Sequence, residues 1–228
     1  MTTIRLWDLP TRLFHWLLVL SVAGAIVSIK TGAISWHERF GLLVLGLLVF
    51  RLAWGLVGST YARFGTFVQG PGAVIRYLKG GWQGVGHNPL GALSVLALIG
   101  LFGFQAGSGL FANDDIAFTG PLYPLVSPEW SDTLSSWHRL TEWWLYGLLI
   151  LHVAAVAFYA RVKKDNLVKP MITGKKLVRA GQAQDAQGGG ALALLVSLAF
   201  AVIVVAGASG SLMTPPPAPE PAPQDLGW

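Results

Sequence analysis

"WHRLTEWWLYGLLILHVAAV", residues 137–156, carries His138 and His152 toward the two ends of one apolar run. They stand fourteen residues apart. On an α-helix that is nearly four turns, with about 40° of angular drift and about 21 Å of rise. One helix face therefore offers an imidazole toward each side of whatever the run crosses. A titratable ring in hydrocarbon is costly unless it is paired, so such residues mark functional sites.

Composition names the medium. Only 12% of the 228 residues are charged and 53% are hydrophobic, with a mean hydropathy of +0.55; soluble domains carry about 25% charged residues. Five apolar runs read as spans: 13–29, 35–57, 89–112, 134–159 and 191–208. The first, at 17 residues, leads into Lys30 and Trp36-His37 rather than a small-residue cleavage site, and reads as an uncleaved span. Asn88-Pro89 suits a helix start, with Asn as the cap and Pro at the first position. Residues 112–133 read as a polar loop, and the glycine-rich, basic stretch 61–82 as a loop with a short interfacial helix. The fold class is an all-α integral membrane protein: a four-helix transmembrane bundle plus a fifth, C-terminal helix. In domain terms, 1–180 is the core, 181–190 ("GQAQDAQGGG" and its neighbours) a flexible linker, 191–212 the extra helix, and 213–228 a proline-rich tail.

Lysine and arginine set the orientation. With the N-terminus inside, the cytoplasmic segments hold 13 of the 16 basic residues and three acids, net +10. The outer side holds Lys30, Arg39 and Arg139 against eight acids, net −5. The expectation is N-terminus inside, five spans and C-terminus outside; the resemblance given below implies a bacterial inner membrane, with the C-terminus periplasmic.

Four histidines then pair by depth. His37 opens the second span at the outer edge, level with His138; His15 lies near the inner edge of the first span, level with His152. Two imidazoles from facing helices at each of two depths is the ligand set of two bis-histidine b haems stacked across the bilayer. Taken singly, each histidine also suits a helix–helix hydrogen bond. A zinc site needs more ligands converging than the two histidines each depth supplies. With no cysteine, disulfides, thiolate-held clusters and covalent c-type haem are excluded. His87, in a loop, reads as a cap or supporting residue. Arg12, Arg39, Arg51 and Arg139 are candidates for the haem propionates, since a guanidinium matches carboxylate geometry; Arg12, Arg39 and Arg139 equally suit snorkelling at the interface. Trp16, Trp36 and Trp137, beside the histidines, fit an aromatic belt as well as they fit haem packing.

"LWDLPTRLFHW" (6–16), "HERFGLLVLGLLVFRLAWGLVGS" (37–59), "GHNPLG" (86–91) and the opening stretch together resemble the bacterial cytochrome b family. That family includes prokaryotic cytochrome b561 proteins and the b-type subunits of nickel–iron hydrogenases; the likeness covers about residues 4–178. It implies a four-helix haem core, electron exchange with quinone, a redox partner outside the inner membrane, and iron ligands at His15, His37, His138 and His152. The fifth span and proline-rich arm are not part of that core pattern.

The leading expectation is a two-haem cytochrome b moving electrons between a periplasmic redox protein and the quinone pool, as an electron-transfer protein rather than a free-standing enzyme. The acidic outer face suits a basic partner such as a c-type cytochrome. Superoxide oxidation with quinone as acceptor, an activity of the broad family, needs a funnel for a small anion, and the negative outer face argues against it. A haem-bearing anchor in a larger complex is the third reading, favoured by the fifth span and the arm.

Overall fold

The computed structural model describes residues 1–213. Among the described residues, five helices are long and apolar enough to span a bilayer: α1 (Leu9–Lys30), α2 (Ile34–Val57), α5 (Pro89–Gly109), α6 (Pro128–Arg161) and α8 (Ala191–Ala208). Between them lie three short helices, α3 (Phe64–Phe67), α4 (Pro71–Leu78) and α7 (Val168–Thr173). The all-α membrane fold expected from the composition is the fold observed. The proline-rich arm from residue 214 on lies outside the described residues.

Helix boundaries follow local chemistry. Asp8 caps α1 by accepting from the Thr11 amide at 2.6 Å, with Pro10 in the first turn. Asn88 caps α5 from the Gly91 amide at 2.8 Å, and Pro89 is its first residue, as expected. The fourth span, however, starts at Pro128 rather than 134, because Ser127 and Pro128 supply a cap and first residue. Its first turn is anchored: Ser131 Oγ donates to the Phe111 carbonyl at 2.7 Å and Ser135 Oγ accepts from the Asn113 amide at 2.9 Å. The polar loop therefore runs over 110–127 rather than 112–133: α6 takes its last residues, while α5, stopping at Gly109, leaves it two more at the start.

Packing builds a chain of helix pairs. α1 packs on α2, α2 on α5, and α5 on α6. α8 runs antiparallel to α2 and lies against it; Val205 sits so close to Gly46 that a Cβ there would meet it at 2.9 Å. Phe14, Phe50, Trp54 and Ala201 form one buried cluster, joining α8 to the core through α1 and α2.

The N-terminal end of the bundle is capped by structure that periodicity did not announce. β1 (Thr2–Arg5) pairs antiparallel with β2 (Lys175–Val178), Thr2 opposite Val178. Ile4, Leu6, Trp7, Val85 and Val178 form the core of this cap. Segment 181–190, expected to be a flexible linker, is instead tied down. Ala186 N donates to the Arg5 carbonyl at 2.7 Å, Thr60 N to Gln187 at 2.8 Å, and Gln184 O accepts from the Tyr61 hydroxyl at 2.7 Å. These backbone groups would otherwise stay unpaired against the cap, and bonding them is what removes the flexibility.

Asp8 holds the cap to the bundle. Beyond capping α1, its carboxylate accepts from Trp54 Nε1 at 3.1 Å and from the Ser59 hydroxyl, at the end of α2. Its charge also reaches the buried Arg51 guanidinium. Asp8→Ala is expected to remove a cap worth about 1 kcal/mol and to strand donors at a further cost of about 1–3 kcal/mol. Asp8→Asn keeps the cap and falls between. Melting temperatures in detergent should order wild type, Asn, Ala, from highest to lowest.

Candidate metal centres

The structure brings the expected His37–His138 pair ring to ring. His37 at the start of α2 and His138 in α6 have ring centroids 6.1 Å apart with perpendicular planes. That separation is what two metal–nitrogen bonds of about 2 Å plus two ring radii span. Each ring is aimed from behind. His37 Nδ1 lies 2.8 Å from the Ala25 carbonyl, and His138 Nδ1 lies 2.9 Å from the Gln105 carbonyl and 3.2 Å from Ser108 Oγ. A carbonyl can only accept, so both rings hold their proton on Nδ1 and keep the Nε2 lone pair free. This is how ligating histidines are generally fixed.

At the other depth, His15 in α1 lies within charge-interaction range of His152 in α6. His15 Nδ1 is buried with no hydrogen-bond partner among the described residues, and its ring meets Trp16 edge-on at 5.0 Å. Trp16 is itself held, donating from Nε1 to the Met171 carbonyl at 3.2 Å. Of the three flanking tryptophans it is the one against a histidine ring; Trp36 and Trp137 are exposed beside Phe40 and Phe104.

Neither α1 with α6 nor α2 with α6, the pairs the histidines join, is among the closely packed helices of the described residues. Across the α1–α6 separation the link is polar. Glu142, one turn beyond His138 and expected as an external-face acid, accepts from Lys30 Nζ at 2.7 Å and from the Tyr146 hydroxyl.

The four arginines divide. Arg12 Nη1 donates to the Ile172 carbonyl at 2.5 Å, and its Nε is buried without a partner. Arg51 is 3% exposed, its guanidinium 4.7 Å over Phe64 and its Nη1 unpartnered. Arg39 lies 5.0 Å over Trp36, and Arg139 reaches Ser136 Oγ at 3.4 Å, both exposed. None of the four is in an ion pair among the described residues. His87 joins neither pair. It is packed between Trp7 (4.8 Å) and Phe67 (4.6 Å), and burial together with the Arg51 charge pushes its pKa down to about 3.

The sequence did not single out Gln105, Ser108, Gly109 or Thr141, which surround His138. Gln105 Nε2 donates to the His138 carbonyl at 3.0 Å, while its Oε1 accepts from Thr141 Oγ1 at 2.5 Å. The available signal was an amide side chain in an otherwise apolar span, level with a histidine.

A profile of the prokaryotic cytochrome b561 family matches residues 6–174. The chain belongs to the prokaryotic cytochrome b561 family. It is thus a membrane haem electron-transfer protein, and a b-type cytochrome holds haem b. Among curated proteins, this cytochrome is 23% identical to the "Probable Ni/Fe-hydrogenase 1 B-type cytochrome subunit" of Escherichia coli (strain K12), over 79% of this chain and 94% of that one. It is 26% identical to the "Probable Ni/Fe-hydrogenase B-type cytochrome subunit" of Azotobacter chroococcum mcd 1, over 78% and 90%. The corresponding subunit of Rhizobium leguminosarum bv. viciae is 22% identical over the same shares. No solved structure matches this cytochrome.

The side chains present fit haem b: two rings 6.1 Å apart whose Nδ1 atoms are turned to backbone carbonyls, a buried unpaired imidazole nitrogen on His15, and guanidinium groups with free donors. Space around His138 is a requirement of that fit. A Cβ at Gly109 would stand 3.0 Å from His138 Cε1. Gly109→Val is therefore expected to displace the ring and lower haem content, while Gly103→Val, at a position with open space, leaves it unchanged; haem per polypeptide after purification measures both.

Proposed function

We propose that this cytochrome binds two b haems, one between His37 and His138 and one between His15 and His152, and carries electrons between a periplasmic redox protein and the membrane quinone pool. The observation that carries this reading is the 6.1 Å facing of His37 and His138 with both Nδ1 atoms turned to backbone carbonyls. Haem b supplies one-electron iron chemistry when bound. The chain supplies the axial imidazoles, and it fixes their tautomer at the outer pair. Arg39 and Arg139 are the candidate propionate partners at the outer depth, Arg12 and Arg51 at the inner.

Charge favours an inner-membrane placement with the N-terminus cytoplasmic and the C-terminal tail periplasmic. Residues 1–180 then form the haem domain, with α8 as an added helix seated on α2. The named relatives are hydrogenase cytochrome subunits, which supports a redox enzyme as the partner. The net negative outer surface suits a partner with a basic face, a c-type cytochrome included.

Stopped-flow mixing of the oxidised protein in liposomes with a quinol analogue tests the quinone side. The account expects the reduced α-band to develop fully. Absorbance that responds to dithionite but not to the quinol contradicts it.

A further inference from the structure

At the N-terminal end of the bundle a cavity of about 440 Å³ opens between the cap and α1. Its walls bring together Arg5 from β1, Arg12 from α1 and Lys175 from β2. None of these three cations is in an ion pair among the described residues. The one acid in the lining, Asp8, is already engaged by Thr11 N, Trp54 Nε1 and Ser59 Oγ. Both guanidinium groups are held from behind by carbonyls: Arg5 Nη2 donates to Ala186 at 3.0 Å and Arg12 Nη1 to Ile172 at 2.5 Å. Each keeps further donors, and Arg12 Nε is buried with no partner. Gly174, at φ +79°, brings bare backbone against Arg12; a Cβ there would crowd Nε at 3.2 Å. Converging cations without a counter-ion call for an anion with several acceptor oxygens.

We infer that this cavity binds the phosphate of an anionic phospholipid. Depth and surroundings distinguish a lipid from a free anion. The cavity lies where α1 begins and α2 ends, so it opens at the level where the apolar helices leave the hydrocarbon. Leu9 lines its mouth, and Leu13, Leu17 and Leu20 continue on the same face of α1, all exposed. The stripe gives acyl chains a track leading from the phosphate site into the bilayer. One wall, Ala186 to Gly189, belongs to the strap that leads into α8. The inference shares Arg12 with the propionate assignment proposed above, so its test rests on Arg5 and Lys175, which that assignment does not use.

Native mass spectrometry of the delipidated, haem-loaded protein tests it, with phosphatidylglycerol, phosphatidylcholine of the same chains, and inorganic phosphate as probes. The wild type should retain phosphatidylglycerol in preference to phosphatidylcholine. Arg5→Gln, which removes one cation, should weaken that retention by about fivefold, and the charge reversal Lys175→Glu by more, both with the haem spectrum unchanged. Lys175 makes no side-chain hydrogen bond or ion pair among the described residues, which makes its variant safe for folding. Equal retention of the two lipids, or retention indifferent to both variants, overturns the inference. Displacement of phosphatidylglycerol by equimolar inorganic phosphate overturns the lipid in favour of a free-anion site. Haem lost together with lipid in Lys175→Glu overturns it in favour of propionate binding.

Discussion

A neutral imidazole inside a helical bundle has one proton to donate and one lone pair to fill, and this molecule is arranged around that requirement. At His37 and His138 the proton side is answered by the carbonyls of Ala25 and Gln105. That leaves each Nε2 lone pair still to be filled, with the two rings 6.1 Å apart. A hydrocarbon interior cannot solvate such lone pairs. The fold packs α1 on α2 and α5 on α6, and among the described residues α6 does not pack closely on α1 or α2, the helices that carry the partner histidines. A bundle closed by direct packing of α6 on α1 would have no place for a group between its histidines.

The two depths are prepared differently. The outer pair is buttressed by backbone and by the Gln105–Thr141 bond, so its rings are oriented before any cofactor arrives. The inner pair relies on Trp16, anchored to Met171, and leaves His15 Nδ1 unpartnered. In the two-haem reading proposed above, ligand geometry between His15 and His152 would depend more on the cofactor itself. At the His15 end, a cap holds the bundle, where Asp8 joins the start of α1 to the end of α2, and β1 ties the N-terminus to β2 some 170 positions away.

Much of this was legible in residues. The five spans are set by hydropathy, and four lie within a few positions of the expected ranges because Asn88-Pro89, Gly32 and Gly190 mark their ends chemically. The fourth span begins earlier than hydropathy shows, since its first turn is polar and is held by Ser131 and Ser135 rather than by burial of apolar residues. β1 and β2, four residues each, carry too little alternation to be read, and their pairing is a long-range contact. Segment 181–190 has the composition of a flexible linker, yet its carbonyls and amides are matched by residues 5 and 60. No property of glycine and glutamine alone announces such a match. Near the candidate site, the histidine pairing came from helical arithmetic, whereas Gln105 and Gly109 needed the neighbouring helix to be in place.

The most direct test of two metal sites at two depths is haem stoichiometry. Haem would be counted per polypeptide, with a reduced-minus-oxidised spectrum, on wild type, His15→Ala and His37→Ala purified from the membrane. The account requires two low-spin b haems in the wild type and the loss of one in each variant. A single haem indifferent to either substitution, or none, would contradict it and leave the four histidines as helix–helix contacts.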